Sequence, residues 1–162
     1  MKKAQRNELQ QVLIDTYAVY LKTQNYHWNV KGPWFHSLHE MFQEQYEELA
    51  LAIDEIAERI RQMDIYVPAT LTFFGKMANV DEKLEEEPSA EMVQSLIDAN
   101  NTVKESISLA MQKAQQEHDE GTFDLLVQRL KAHDKAIWMM EMVLKSDLKT
   151  SKLSSSKTSV KH

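Results

Sequence analysis

The chain has 162 residues, a formal net charge of −6, no Cys, and only three Gly and three Pro. That length suits one domain able to bury about two-thirds of its unfolded surface, and the lack of Cys removes thiolate catalysis, Fe–S clusters, disulfides and Cys-zinc sites. The charge is divided: residues 147–162 hold four Lys against one Asp, leaving −9 on residues 1–146, an acidic body that draws cations and repels nucleic acid.

The opening MKKAQRNELQQ is polar, without the apolar centre of a secretion signal. No apolar run approaches the roughly 18 residues needed to span a bilayer, so no membrane contact and a cytoplasmic location are expected. Long segments rich in Leu, Ala, Glu, Gln, Lys and Met predict an all-α bundle. A first helix over about residues 5–30 carries Leu9, Leu13, Tyr17, Tyr20 and Leu21 on one broad apolar side, and Gly32-Pro33 ends it. A second helix over residues 34–63 has Ser37 and Glu40 as an early capping pair and an apolar face of Phe42, Tyr46, Leu49, Ile53, Ile56 and Ile60.

Residues 64–88 contain Pro68, Gly75 and Pro88 around a short apolar stretch, Leu71 to Met77, that can form a small helix. The segment is too long for a hairpin and suits a crossover along the bundle. A third helix follows Ser89 as its N-cap, with Met92, Leu96, Ala99, Val103, Ile107, Ala110 and Ala114 in register. Gly121 and Thr122 interrupt the pattern, and a fourth helix resumes with Leu126, Leu130, Ile137, Met140 and Leu144. The predicted organisation is one four-helix domain over residues 1–146 and a flexible Lys/Ser-rich tail over 147–162. Two hairpins joined by one long crossover match the ferritin-like topology, with other four-helix bundles left open by periodicity alone.

Four residues carry the candidate chemistry. Asp54 and Glu58 stand at i,i+4 on one helical face, where two carboxylates can share a cation, although an exposed acidic ladder has the same spacing. Ala50 and Ala57 keep that side small enough for a neighbouring helix to approach. His27 and His39 flank the Gly32-Pro33 break and so return to the same end of the bundle; a lone histidine beside Trp28 is more often a packed or hydrogen-bonded ring than a ligand. At 1.5 Å rise per residue His39 lies roughly 22 Å from Asp54 along the second helix, so one chain cannot gather all four. A second copy, antiparallel across a two-fold axis, would bring each histidine end against the partner's carboxylates. Such an N/O set suits Fe²⁺, with Zn²⁺, Co²⁺ and Mn²⁺ as competitors. The Glu-x-x-His elements of an intrachain di-iron centre are absent, since Gln24, Pro33, His36, Gln115 and Leu130 stand three before the histidines in question.

Residues 20–61 contain the blocks HWNVKGP, LHEMF and DEIAER at set intervals, and later EGTFDLL and KAIWMME. These resemble the Dps family, the miniferritins, over about residues 5–146. The resemblance implies a ferritin-like four-helix bundle with a short helix in the crossover between the second and third helices. It also implies a dodecamer built from two-fold dimers, with ferroxidase sites at the dimer interfaces. Carried over, His27 and His39 come from one subunit and Asp54 and Glu58 from its mate, holding up to two iron ions per site. Trp28 resembles the aromatic residue beside these centres. The implied activity is oxidation of Fe²⁺ by hydrogen peroxide or O₂ and storage of Fe³⁺, protecting against oxidative damage. Asp119, Glu120 and Asp124 resemble acids lining the family's three-fold pores, though unaided they read as ordinary charge at a helix N-terminus. Lys149, Lys152, Lys157 and Lys161, with Lys2, Lys3 and Arg6, resemble the basic ends through which some relatives condense DNA. The alternative implied function is therefore a nucleoid-associated, DNA-protecting particle whose metal sites mainly stabilise assembly. Asp64 departs from the family pattern, which commonly has Gly there.

Overall fold

The computed structural model describes residues 7–156, with side chains described as far as Lys145. Five helices follow in order: α1 (Glu8–Asn29), α2 (Phe35–Gln62), α3 (Leu71–Met77), α4 (Ser89–Gln116) and α5 (Glu120–Ser156). Among the described residues there is no strand. Helices α1 and α2 pack along each other as one hairpin and α4 and α5 as another; α1 lies against α4, whereas α2 and α5 meet only sparsely. The architecture is a four-helix bundle with α3 in the long crossover. The backbone of α5 is helical through Ser156, while Lys2, Lys3, Arg6, Lys157, Lys161 and the side chains of Lys149 and Lys152 lie outside what is described.

The periodic positions of α4 enter the core without exception: Met92, Leu96, Ala99, Val103, Ile107, Ala110 and Ala114 are all buried. On α2, Phe42, Leu49, Ile56 and Ile60 are buried as well. The face of α1 is rotated from the expected one, because Val12, Val19 and Tyr26 join Leu9 and Leu13 inside while Leu21 is exposed. Two apolar clusters result, one around Leu9, Ile56, Val103 and Leu126 and one around Tyr26, Phe42, Leu96 and Met140.

Helix ends differ from the sequence expectation in instructive ways. Asn7 caps α1 by accepting from Leu9 N, and Gln10 reciprocates by accepting from Asn7 N, a capping box. Ser89 is the first helical residue of α4 rather than its cap, a role that falls to Pro88 without a side-chain bond. The Ser37–Glu40 pair does not form: Ser37 Oγ donates to the Trp34 carbonyl and Glu40 lies near His36. Gly121 and Thr122 do not break α5 but sit in its first turn. That turn is capped by Asp119, which accepts from Thr122 N at 3.0 Å and from Thr122 Oγ1 at 2.6 Å.

Helices α2 and α4 both end in Schellman motifs with an L-residue in the left-handed position that usually falls to Gly. Asp64 has φ +58 and His118 φ +56. The paired bonds are Asp64 N to Arg61 O and Ile65 N to Ile60 O, then His118 N to Gln115 O and Asp119 N to Ala114 O. Asp64 thus adopts the conformation that a Gly would adopt there, and the bend survives the departure from the family pattern.

The crossover is pinned by two buried acids. Asp15 is fully buried and accepts from Ser106 Oγ (2.6 Å), Asn79 N (2.7 Å) and Gln11 Nε2 (3.0 Å), tying α1, the crossover and α4 together. Glu87 accepts from the Tyr26 hydroxyl and pairs with Lys83 at 2.9 Å.

Candidate metal centre

Gly32 has φ +102, a conformation that favours glycine, and Phe35 N donates to its carbonyl at 3.0 Å. This tight turn reverses the chain so that the last turn of α1 faces the second turn of α2. His27 and His39 therefore stack ring on ring, with centroids 3.8 Å apart and planes inclined by 15°.

Each ring is also locked by the other residue's backbone. His27 Nδ1 lies 2.8 Å from the His39 carbonyl, and His39 Nδ1 lies 2.8 Å from the His27 carbonyl. The His27 carbonyl belongs to the final turn of α1, where carbonyls lack intrahelical donors. A carbonyl can only accept, so both Nδ1 atoms must carry hydrogen, which in a neutral ring leaves the lone pair on Nε2. That is the tautomer in which imidazole binds a metal, oriented by its second nitrogen. His27 is buried and His39 half-buried. The rings touching the pair are Phe35, stacked on His39 at 5.0 Å, and Tyr46, edge-on to His27 at 5.1 Å. The sequence reading missed both, although Phe35 and His39 are i,i+4. Trp28, next to His27 in the chain, is 63% exposed.

The structure brings the two histidines together and leaves Asp54 and Glu58 further along α2, both exposed. Among the described residues, no three His, Asp or Glu side chains of one chain form a set able to hold a metal ion. Several apolar side chains are open on the single chain: Leu51 of α2 is 76% exposed, and Leu71 and Tyr66 of the crossover are similarly open.

Asp119 is not free at the α4–α5 turn. Arg59 Nη2 binds it at 2.8 Å, and Arg59 Nε donates to Thr122 Oγ1. Burial pushes its carboxyl upward, but the Thr122 bonds and Arg59 outweigh this and hold it below its usual range. Gly121 leaves room for the guanidinium, since a Cβ there would stand 3.1 Å from Arg59 Nη2. Glu120 and Asp124 remain exposed. No described helix is long and apolar enough to cross a membrane.

A ferritin-like domain model matches residues 6–148. General stress protein 20U of Bacillus subtilis is 36% identical over 127 residues, covering 78% of this chain and 88% of that protein. The DNA protection during starvation protein of Brevibacillus brevis is 35% identical over 127 residues, covering 78% and 85%. The crystal structure of a Dps protein from Bacillus brevis superposes with a TM-score of 0.81 at 34% identity, over 85% of this chain and 92% of that one. With fold, domain model and relatives in agreement, this chain belongs to the Dps, or miniferritin, family of the ferritin-like superfamily.

Proposed function

We propose that this protein is a ferroxidase and iron-storage subunit whose reaction centre is completed by a second copy of the chain. The observation that carries this reading is the reciprocal lock of His27 and His39, which engages both Nδ1 atoms and leaves both Nε2 atoms for a metal, while Asp54 and Glu58 stand exposed further along α2. The exposed apolar side chains Leu51 and Leu71 on α2 and α3 support a covering partner. Two such chains, antiparallel, would form two equivalent sites, each with histidines from one and carboxylates from the other. Ferrous iron is the substrate, with other divalent transition metals competing for the same donors. The imidazoles hold it in the ferrous state, and the carboxylates stabilise the harder ferric product.

Hydrogen peroxide accepts two electrons, so oxidising two ferrous ions together converts it and two protons to water without releasing a hydroxyl radical. O₂ is the alternative oxidant. Twelve chains of 18.9 kDa would give a particle of about 227 kDa enclosing the ferric product. Glu120 and Asp124 would line a cation entry, with Asp119 fixing their turn through Arg59.

The test is anaerobic loading with Fe²⁺ followed by peroxide. The expected consumption is two ferrous ions per peroxide, abolished in Asp54→Ala/Glu58→Ala protein. One-to-one consumption, or full activity in the double variant, would sink the mechanism. DNA protection is a second reading, suggested by the name of the Brevibacillus brevis relative and by the Lys-rich C-terminal sequence. Gel retardation of DNA by the full chain and by one ending near residue 146, at several salt concentrations, tests it: tail-mediated binding must weaken with both salt and truncation.

A further inference from the structure

Beside the paired histidines runs a row of tyrosines. Tyr46 of α2 meets the His27 ring edge-on, with centroids 5.1 Å apart and planes at 76°. Tyr20 of α1 meets Tyr46 at 6.1 Å, and Tyr17 meets Tyr20 at 5.7 Å. The far end closes on Phe74 of α3, 5.3 Å from Tyr17. Helical spacing makes this row: Tyr46 stands two turns after His39, Tyr20 two turns before His27, and Tyr17 one turn earlier still. Because α1 and α2 pack along each other as a hairpin, rings set back equally from the turn meet across the seam. Every step falls within the about 4.5–7 Å that separates packed aromatic rings.

Packing alone does not ask for tyrosine, since phenylalanine would fill the seam with no hydroxyl to satisfy. What the phenol adds is an electron that it can give up. Of the two rings touching the histidine pair, Phe35 has no hydroxyl, so Tyr46 is the one from which an electron leaves first. All three tyrosines are half-buried, which shields the rings while leaving protons a way to solvent. The Tyr20 oxygen accepts from Gln24 Nε2 at 3.1 Å, a bond that persists after the phenolic hydrogen has gone.

We propose that Tyr46, Tyr20 and Tyr17 form an electron-donating row that supplies the second electron to hydrogen peroxide when a centre holds only one ferrous ion. This rests on the ferroxidase reading above and extends it to scarce iron. The ferrous ion gives one electron and Tyr46 the other. The O–O bond breaks, and the phenolic proton together with one proton from solvent converts both oxygens to water. One ferric ion and one neutral tyrosyl radical remain. The radical passes from Tyr46 to Tyr20 and Tyr17 by electron transfer between touching rings, each electron matched by a proton. A later ferrous ion returns the electron and solvent the proton, which restores the phenol. The sum is again two ferrous ions per peroxide, with no hydroxyl radical released.

Freeze-quench electron paramagnetic resonance on the assembled full-length protein tests this, with peroxide added anaerobically after one or two ferrous ions per centre. A tyrosyl signal, recognised by its narrowing in protein grown with ring-deuterated tyrosine, is expected at the lower loading and is lost at the higher one. A nitroso spin trap followed by peptide mapping should place the adduct on Tyr20 or Tyr17. Tyr46→Phe keeps a ring against His27 but should abolish the α1 adduct and increase the hydroxyl radical trapped in solution at one ferrous ion per centre. The comparison of the two loadings on unmodified protein stands even if that variant does not assemble. Failure to consume two ferrous ions per peroxide at the higher loading would remove the ferroxidase reading and the row with it. Normal consumption there, with no tyrosyl signal at the lower loading or with an adduct confined to Trp28 or Tyr46, would overturn the row alone.

Discussion

His27 and His39 hold one another, so neither can be changed alone. Removing the His39 ring takes away both the stack on His27 and the donor to its carbonyl. His39→Ala should slow iron oxidation at limiting Fe²⁺ about tenfold or more and reduce thermal stability at fixed protein concentration. Single residues also decide the two helix ends closed by Asp64 and His118 at positive φ. Glycine relieves the contact between Cβ and the following carbonyl, so Asp64→Gly and His118→Gly should each stabilise the protein by about 0.5–1 kcal/mol in denaturant titrations. At this scale the sequence located the histidines but not their lock. Counting residues across the Gly32-Pro33 break says that two side chains return to one end. Ring stacking and carbonyl pairing depend on the angle of the turn, which residue spacing does not specify.

Among the elements, every expected core position of α4 is buried because its periodicity is unbroken, although Val93, Ile97, Asn100 and Ser106 are buried beside them, and α3 kept both its bounds. The caps were less legible. The capping box at Asn7 and Gln10 has a recognisable spacing, but α1 was expected to begin upstream of it. The anchors of the crossover were not legible, because Asp15 and Glu87 find partners far away in the chain. Asp15→Ala would leave the buried Ser106 hydroxyl and the Asn79 N–H without their acceptor, a cost of about 1–3 kcal/mol.

Glu87 adds a pH dependence. The Tyr26 hydroxyl, against the opposing effect of burial and with help from Lys83, holds its carboxyl below the usual range. Its contribution is complete above the unfolded carboxylate value of about 4.3 and is lost as pH falls through the lower folded value. Tyr26 has the opposite sign: burial, then Glu87, raises it to about 12. Its contribution is complete below the unfolded value of about 10 and disappears as pH climbs through about 12. Glu87→Gln should flatten the acid limb of a stability–pH curve, and Tyr26→Phe the alkaline limb.

For the whole molecule, the decisive surface is the one a single chain leaves open. Leu51, largely exposed between buried Leu49 and Ala52, shares α2 with Asp54 and Glu58. Leu51→Glu is expected to place charge at the proposed two-fold contact, lowering the particle mass in light scattering and removing iron oxidation while α-helical circular dichroism persists. An assembled particle retaining full activity would exclude that contact. The division of the proposed ligands between the ends of α2 has a genetic consequence. A His27→Ala/His39→Ala chain and an Asp54→Ala/Glu58→Ala chain should each be inactive alone. Paired in one dimer, they would form one site lacking every ligand and one with the full set. Random mixing of the two dead proteins before assembly should therefore restore about a quarter of the sites.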